Sequence, residues 1–117
     1  MEEKDCVFCK IAKGEIKAEK ILENDNFFVI DDANPKTKGH CLVIAKKHYK
    51  TILDIPSTLG TELLSLIKES AIKKLKENKA EGFNMIMNNF ETAGQVVHHA
   101  HIHIIPRYKK DGFKICT

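Results

Sequence analysis

Imidazole and aliphatic side chains alternate near the end of the chain, in the stretch HAHIHII from His99 to Ile105. Alternation with a period of two is typical of a β-strand whose two faces differ. We therefore predict a long strand from Val96 to Pro106. One face of it would carry three imidazoles, which the fold must keep partly hydrated or paired: His99, His101 and His103. The other face is predicted to lie in the core and carries Ala100, Ile102 and Ile104.

The rest of the sequence predicts further strands and little helix. A short helix is predicted at 6–13, ended by Gly14. Apolar runs indicate strands at 27–30, 39–44 and 83–88, with turn residues at 31–38 and a loop at 89–95.

One long helix is predicted after Pro56, with Ser57 as its N-cap. Apolar residues recur in it at helical spacing and give it one apolar face: Leu59, Leu63, Ile67, Ala71 and Leu75. Parallel strands need a crossover connection for each pair, and a single long helix cannot supply them all. The sequence therefore predicts an α+β domain with a mostly antiparallel sheet covered by this helix.

Length and composition fit one globular domain. The chain has 117 residues, 43% of them hydrophobic, and a net charge of +3. Its lysines form no stripe interleaved with aromatic residues, which argues against a nucleic-acid groove. No apolar run has transmembrane length, and the start MEEKDCVFCK lacks the layout of a signal peptide. We therefore expect a cytoplasmic or nuclear protein with no membrane partner and with reduced thiols.

Histidines that share one strand face can act as metal ligands, as acid–base groups or as a nucleophile. A neutral imidazole attacks phosphorus well near pH 7, because its ordinary pKa is about 6.5. The second ring nitrogen must then be held as a donor, so that the attacking nitrogen is unprotonated. The alternatives are a solvated strand face and a metallohydrolase with His99, His101 and His103 as ligands. The phosphate-binding loop GxxxxGK[ST] is absent from the sequence.

Cys6 and Cys9 form a Cys-x-x-Cys pair near the start of the chain. No βαβ pattern follows, which argues against a thioredoxin-like redox role, and no closely spaced histidine pair follows as in a zinc finger. Zinc is plausible if two further ligands come from distant strands. The alternative is two reduced cysteines at a helix start. Cys41 is predicted to be buried in a strand, and Cys116 to be a free terminal thiol.

Several motifs together resemble the histidine triad (HIT) family. They are HAHIHII at His99 to Ile105, Asp32-Ala33-Asn34-Pro35, Gly39-His40 followed by LVIAKKH, Asn88, and Gly94-Gln95. The resemblance covers residues 5–107 and is greatest to the Hint-like branch that carries an N-terminal Cys-x-x-Cys. It implies a single HIT domain over 1–117 with a short tail at 108–117. The implied fold has a five-stranded sheet, one long helix and a short N-terminal helix.

The resemblance also implies roles for individual residues. His101 would be the nucleophile on the α-phosphorus of a purine nucleotide, with His103, His40 and His99 completing the catalytic set. Asp32 would accept both ribose hydroxyls. Contacts to the phosphate would come from Asn88, Gly94 and Gln95, and the wall of the purine pocket from Val7, Phe8, Ile11 and Ile30. One structural Zn²⁺ per chain would be bound by Cys6, Cys9, His48 and His99, in which case His99 carries no proton.

The activity implied by the resemblance is hydrolysis of purine nucleoside phosphoramidates, such as amides of AMP or GMP, through a nucleotidyl-histidine. The alternatives are a dinucleoside polyphosphate hydrolase and a catalytically weak, zinc-stabilised nucleotide-binding module. Val96 stands where many members have Ser or Thr, so one hydroxyl contact near the phosphate is missing. A homodimer is expected, because an open sheet edge at 83–88 would invite aggregation.

Overall fold

The computed structural model describes residues 3–115. Five strands form one sheet in which each neighbouring pair is antiparallel, in the order β1-β2-β3-β5-β4. The strands are β1 (Leu22–Glu23), β2 (Phe27–Asp31), β3 (Cys41–Ala45), β4 (Gly82–Ile86) and β5 (His101–Arg107). Two α-helices accompany them, α1 (Val7–Ala12) and α2 (Gly60–Asn78). The predicted α+β class and the mostly antiparallel sheet are therefore confirmed.

The two faces of the sheet carry separate apolar clusters. The long helix α2 covers one face, where its buried residues Leu63, Leu66 and Ile67 pack against side chains of β2, β3 and β5. The short helix α1 covers the other face, where Phe8 and Ile11 pack with apolar residues of β2 and β3. Alternation along β5 sends Ile102 and Ile104 to the α2 face and both of its histidines to the α1 face.

The predicted strand from Val96 to Pro106 is too long at its start, because β5 begins only at His101. The residues before it turn: the His99 N–H bonds to the carbonyl of Val97 at 2.9 Å. The Ala100 N–H then bonds to the carbonyl of Tyr49 at 2.6 Å. His99 therefore does not share the strand face of the other two triad histidines.

The predicted N-cap at Ser57 is wrong by two residues, because the N-cap of α2 is Leu59. Ser57–Leu59 form a tight helical turn closed by the Leu59 N–H on the Pro56 carbonyl at 2.9 Å, and α2 begins at Gly60 without a side-chain cap. The predicted apolar face of the helix is confirmed at Leu63, Ile67 and Ala71, which are buried, whereas Leu59 and Leu75 are half-buried. α1 ends as predicted, with Gly14 at φ +80°. Among the described residues, no helix is long and apolar enough to cross a membrane.

Candidate active site and metal centre

His101 lies at the start of β5, and its ring is held by the backbone just before the strand. Its Nδ1 is 2.6 Å from the carbonyl oxygen of His99. A carbonyl oxygen only accepts, so Nδ1 carries the proton and donates it. Burial lowers the pKa of His101 below its usual value, which keeps the ring neutral. Its Nε2 therefore holds an unprotonated lone pair, the state that a nucleophile requires.

His40 and His103 form a hydrogen-bonded pair beside it. The backbone N–H of Lys36 donates to Nδ1 of His40 at 3.0 Å, so the proton of the neutral His40 ring is on Nε2. That Nε2 is 3.0 Å from Nδ1 of His103, to which it donates. The proton of a neutral His103 is then on Nε2, at the far end of this series of hydrogen bonds. The Lys36 amide thus fixes the tautomers of both His40 and His103, and it leaves the Nε2–H of His103 as a free donor.

Asp32 lies directly behind this pair. Its Oδ2 is 3.4 Å from Nε2 of His40 and 3.9 Å from Nδ1 of His103. Its Oδ1 accepts the backbone N–H of Asn34 at 2.8 Å. Burial lowers the pKa of His40, although the Asp32 charge opposes this. Burial and the neighbouring imidazoles lower the pKa of His103 to about 4. Both rings are therefore neutral near pH 7.

An apolar surface borders the histidines on the α1 face. The ring of Phe8 meets that of His101 edge-on, with centroids 5.1 Å apart. Ile11 and Ile30 belong to the same buried cluster as Phe8, whereas Val7 is 39% exposed. Three of the four predicted purine-wall residues therefore lie in one buried cluster, of which Phe8 contacts His101, and the fourth is at the surface.

The structure places the predicted phosphate contacts in a tightly bonded loop. The side chain of Gln95 is buried, and its Oε1 accepts the backbone N–H of Phe90 at 2.7 Å. Its Nε2 donates to the carbonyls of Lys50 and Val97 at 2.7 and 3.0 Å. The Gln95 amide thus braces the loop. Gly94 has φ +94°, a conformation that favours glycine, and lies beside the Asn88 amide. Val96 is 85% exposed.

A second cluster joins α1 to the segments after β3 and before β5. Nδ1 of His99 is 3.2 Å from Sγ of Cys6, 3.4 Å from Sγ of Cys9 and 3.2 Å from Nδ1 of His48. Sγ of Cys9 is also 3.2 Å from Nδ1 of His48. Four such atoms around a tetrahedral zinc ion lie about 3.3–3.8 Å apart, given the usual zinc–ligand distances. The cluster therefore has the composition and nearly the spacing of a metal site.

The chemistry of the donors supports a metal at this cluster. Nε2 of His99 donates its proton to the carbonyl of Ala45 at 2.5 Å, which leaves the Nδ1 lone pair directed at the thiols. Burial and the nearby Cys6 thiol raise the pKa of Cys9 to about 12, so its thiolate needs a cation beside it. Burial also lowers the pKa of His99 to about 4, which keeps it available as a neutral ligand.

Asp32, His40 and His103 also place three ligand-type atoms close together. The Lys36 amide argues against a metal there, because it bonds to Nδ1 of His40 and so keeps the proton on the inward Nε2. A set made of all three triad histidines is not assembled among the described residues either, because the ligand atom of His99 lies with the cysteines and that of His103 lies with His40 and Asp32. The separation of His99 from its neighbours could not be foreseen from alternation alone.

Three backbone groups fix histidine tautomers, and none of them carries a side-chain signal in the sequence. They are the amide of Lys36 and the carbonyls of Ala45 and His99. The burial predicted for Cys41 is confirmed. Cys116 lies outside the described residues.

Comparison with known proteins agrees with this geometry. The HIT domain family matches residues 13–110. An HIT-like protein of Methanocaldococcus jannaschii is 43% identical over 109 residues, which cover 92% of this chain and 82% of that protein. The adenosine 5′-monophosphoramidase HNT1 of Candida albicans is 39% identical over 110 residues, 91% of this chain and 71% of that enzyme. The chain therefore belongs to the HIT domain family.

Other relatives extend the comparison. The adenylylsulfatase HINT3 of Arabidopsis thaliana is 41% identical over 107 residues, and the match covers 92% of this chain but only 54% of that protein. A Streptococcus mutans structure, SMU.412c, superposes with a TM-score of 0.91 at 42% identity, covering 97% and 72% of the two chains. A zinc-bound histidine triad protein of Mycobacterium smegmatis superposes with a TM-score of 0.85 at 34% identity, covering 94% and 80%.

Proposed function

We propose that the protein is a purine nucleoside phosphoramidase that forms a nucleotidyl-histidine on Nε2 of His101. The observation that carries the proposal is the hydrogen bond from Nδ1 of His101 to the carbonyl of His99 at 2.6 Å. It leaves Nε2 unprotonated, in a ring that burial keeps neutral. The relationship to an adenosine 5′-monophosphoramidase supports the choice of substrate.

The reaction has two displacements. In the first, Nε2 of His101 attacks the α-phosphorus, the P–N bond breaks, and the amine leaves with one proton taken from solvent. In the second, water attacks the same phosphorus and returns a proton to solvent, the His101–phosphorus bond breaks, and the nucleoside monophosphate leaves. Covalent catalysis of this kind divides one difficult step into two easier ones. The outward Nε2–H of His103 is the hydrogen-bond donor suited to the phosphoryl oxygen, and His40 holds it in that tautomer.

Nucleotide binding is proposed on the same face. The purine lies against the apolar surface that contains Phe8, Ile11 and Ile30, and Asp32 accepts the ribose hydroxyls. The phosphate lies beside the loop that contains Asn88, Gly94 and Gln95. The Gln95 side chain braces that loop, and the backbone N–H groups of Gly94 and Gln95 donate to the carbonyls of Glu91 and Phe90, so these residues shape the phosphate site.

The metal is proposed to be one structural Zn²⁺ per chain, bound by Cys6, Cys9, His48 and His99. Two thiolates and two imidazoles complete a tetrahedral zinc shell and leave no open position for a substrate. Such an ion supplies structural cross-linking when bound. A zinc-bound relative supports the identity of the metal. Reduced thiols at this cluster suit the cytoplasm, the compartment that we propose.

A homodimer is proposed through the edge strand β4. Phe83 and Met85 are 42% and 57% exposed on this strand, which pairs with β5 on one side. An exposed apolar edge is normally covered in a folded protein. Light scattering at micromolar concentration should give twice the mass of one chain, and a monomer would contradict the proposal.

The direct test of the activity compares two substrates. The value of kcat/KM is measured side by side for adenosine 5′-phosphoramidate and a diadenosine polyphosphate, and acid-quenched enzyme is examined by mass spectrometry for a nucleotidyl adduct. We expect the phosphoramidate to be cleaved faster and the adduct to map to His101. A tenfold preference for the dinucleotide would replace the phosphoramidase assignment with that of a dinucleotide hydrolase. We also expect turnover to continue at the same rate when excess chelator is added. An immediate loss of turnover on addition of the chelator would favour a metallohydrolase.

A further inference from the structure

A lysine ammonium is buried on the side of α2 that faces the sheet. Lys74 is 7% exposed, and it lies on the same helix face as the buried residues Ile67 and Ala71. A buried lysine needs a partner, because an isolated charge is costly to remove from water. Its Nζ donates to Oδ1 of Asp31 at 2.6 Å. The chemistry proposed above does not use this ion pair.

The ion pair lies one residue before the proposed ribose clamp. Asp31 is the last residue of β2, and its side chain is directed toward α2 by its bond to Lys74. Because successive side chains of an extended chain alternate, Asp32 turns to the opposite side. There its Oδ2 lies 3.4 Å from Nε2 of His40. Asp32 is also held directly, because its backbone N–H donates to the carbonyl of His40 at 3.0 Å and its Oδ1 accepts the N–H of Asn34 at 2.8 Å, so the Asp31–Lys74 pair acts together with these bonds.

Open space borders this corner of the molecule. A cavity of about 340 Å³ is lined by both aspartates, by Lys74 and by residues of the loop that returns to β3, among them Gly39. On this side, therefore, close packing does not fix the positions of the Asp31 and Asp32 carboxylates. The Asp31–Lys74 pair instead ties the end of β2 to the helix, with the cation desolvated and the Asp31 side chain still 60% exposed.

We propose that Lys74 is a positioning residue for nucleotide recognition. By holding Asp31, it fixes the Asp32 carboxylate in the direction that meets both ribose hydroxyls. It therefore determines how strongly the protein prefers a ribonucleotide over a 2′-deoxyribonucleotide. This inference rests on the proposed function, because it assumes that the ribose binds at Asp32.

The test measures binding of AMP and of 2′-deoxy-AMP to the metal-loaded protein by calorimetry. The wild-type protein should prefer AMP by roughly tenfold or more, the value expected for one hydrogen bond to a charged group. Lys74→Met keeps the side-chain volume and removes the ammonium. We expect the preference for AMP over 2′-deoxy-AMP to fall to about threefold or less, because AMP binds more weakly. Lys74→Arg keeps an ion pair and should restore most of the preference.

The neighbouring lysine provides a matched control. Lys73 lies one residue earlier on α2 and pairs with Glu77 of the same helix at 2.8 Å. Lys73→Met changes the net charge equally and should leave the AMP preference unchanged. If Lys74→Met instead weakens both nucleotides by the same factor, the lysine acts only through charge, and the positioning role is wrong.

A second variant breaks the same ion pair from its exposed end. Asp31→Ala shifts the local charge in the opposite direction from Lys74→Met, yet both should lower the AMP preference. This variant also carries the test if Lys74→Met does not fold. If the wild-type protein binds neither nucleotide, the proposed function fails. If the wild-type protein discriminates and both variants discriminate equally well, only the role of Lys74 fails.

Discussion

Histidine serves opposite purposes in two regions of the molecule. One region is the metal-type cluster, formed by Cys6, Cys9, His48 and His99. The other is the hydrogen-bonded His40–His103 pair. In the metal-type cluster, the carbonyl oxygen of Ala45 accepts the Nε2 proton of His99. The Nδ1 atom that faces the thiols is therefore unprotonated and carries a lone pair. In the pair, an amide N–H, that of Lys36, bonds to the outer nitrogen of His40, so the inward nitrogen carries a proton. An imidazole that presents a lone pair to thiols suits a metal, whereas one that presents a proton to another imidazole suits proton transfer.

This difference shows that residue type alone does not decide what a histidine does. His101 illustrates the point, because its acceptor is the backbone carbonyl of His99, a member of the cysteine–histidine cluster. The same backbone segment thus serves both regions. A substitution in one region should therefore leave the chemistry of the other region largely unchanged.

The largest effect is expected from loss of the nucleophile. His101→Ala should lower kcat by at least ~10³-fold, the scale for removal of a covalent nucleophile. Binding of AMP and the metal content should stay near normal, because the ring of His101 is not one of the four cluster ligands. Steady-state kinetics, calorimetry and metal analysis check the three expectations.

The neighbouring histidine is the control for this variant. His98 is directed toward Glu91, at 3.0 Å, and not toward the sheet. His98→Ala should keep wild-type turnover. Appreciable turnover in His101→Ala, or an adduct mapped to a different residue, would show that the tautomer argument selects the wrong ring.

Loss of the metal should have the next largest effect, on stability. A ligand present at 1,000 times its Kd stabilises the folded state by about 4 kcal/mol. Cys9→Ser should therefore lose the metal and a comparable free energy of unfolding, together with nucleotide affinity, because α1 carries both the thiols and Phe8. Atomic absorption after dialysis, expected to give about one zinc per wild-type chain, and denaturant unfolding measure these effects.

Cys41 is the matched thiol. It is buried in β3 away from the metal-type cluster, so Cys41→Ala should retain the metal. Normal metal content in Cys9→Ser, or a metal-free wild-type protein of unchanged stability, would contradict the assignment of the cluster.

Much of the fold follows from local patterns. Alternation identified β5 and the direction of His101 and His103, and helical spacing identified the buried face of α2. The sequence could not reveal that β5 starts five residues later than predicted, because the turn before it is held by non-local bonds. These run from Ala100 to the Tyr49 carbonyl and from the Gln95 amide to that of Lys50.

The candidate site was predictable in membership but not in tautomer. The HAHIHII stretch and the Cys-x-x-Cys pair named most of the side chains that the structure brings together. Backbone amides and carbonyls have no sequence signature, so the partners of His40 and His99 emerged only from the fold. For the same reason the bracing role of Gln95 was not anticipated.

A smaller effect is expected on the pH dependence of stability. The pKa of His103 is about 4 in the folded protein and about 6.5 when unfolded, so the unfolded state binds more protons between these values. Stability is fully present above pH 6.5 and is lost as the pH falls toward 4. His103→Asn lacks this proton uptake, and between pH 7 and pH 5 its free energy of unfolding should fall less, by up to about 2 kcal/mol. Denaturant unfolding of both metal-loaded proteins at pH 7 and pH 5 checks the difference, and parallel curves would show that His103 does not titrate as described.

The smallest effect concerns Val96, which lies in the segment between Gln95 and the start of β5. Its side chain is 85% exposed, so Val96→Ser should change the free energy of unfolding by less than about 0.5 kcal/mol. If this position borders the leaving group, the new hydroxyl adds one hydrogen bond, worth about 0.5–1.5 kcal/mol. An amine leaves readily once it is protonated, so the gain in kcat/KM should be greater for a diadenosine polyphosphate than for the phosphoramidate. Val96→Ala removes the same methyl groups without adding a hydroxyl and is the control. Equal gains for both substrates, or an equal gain in Val96→Ala, would show that the residue acts through bulk and not through a missing donor.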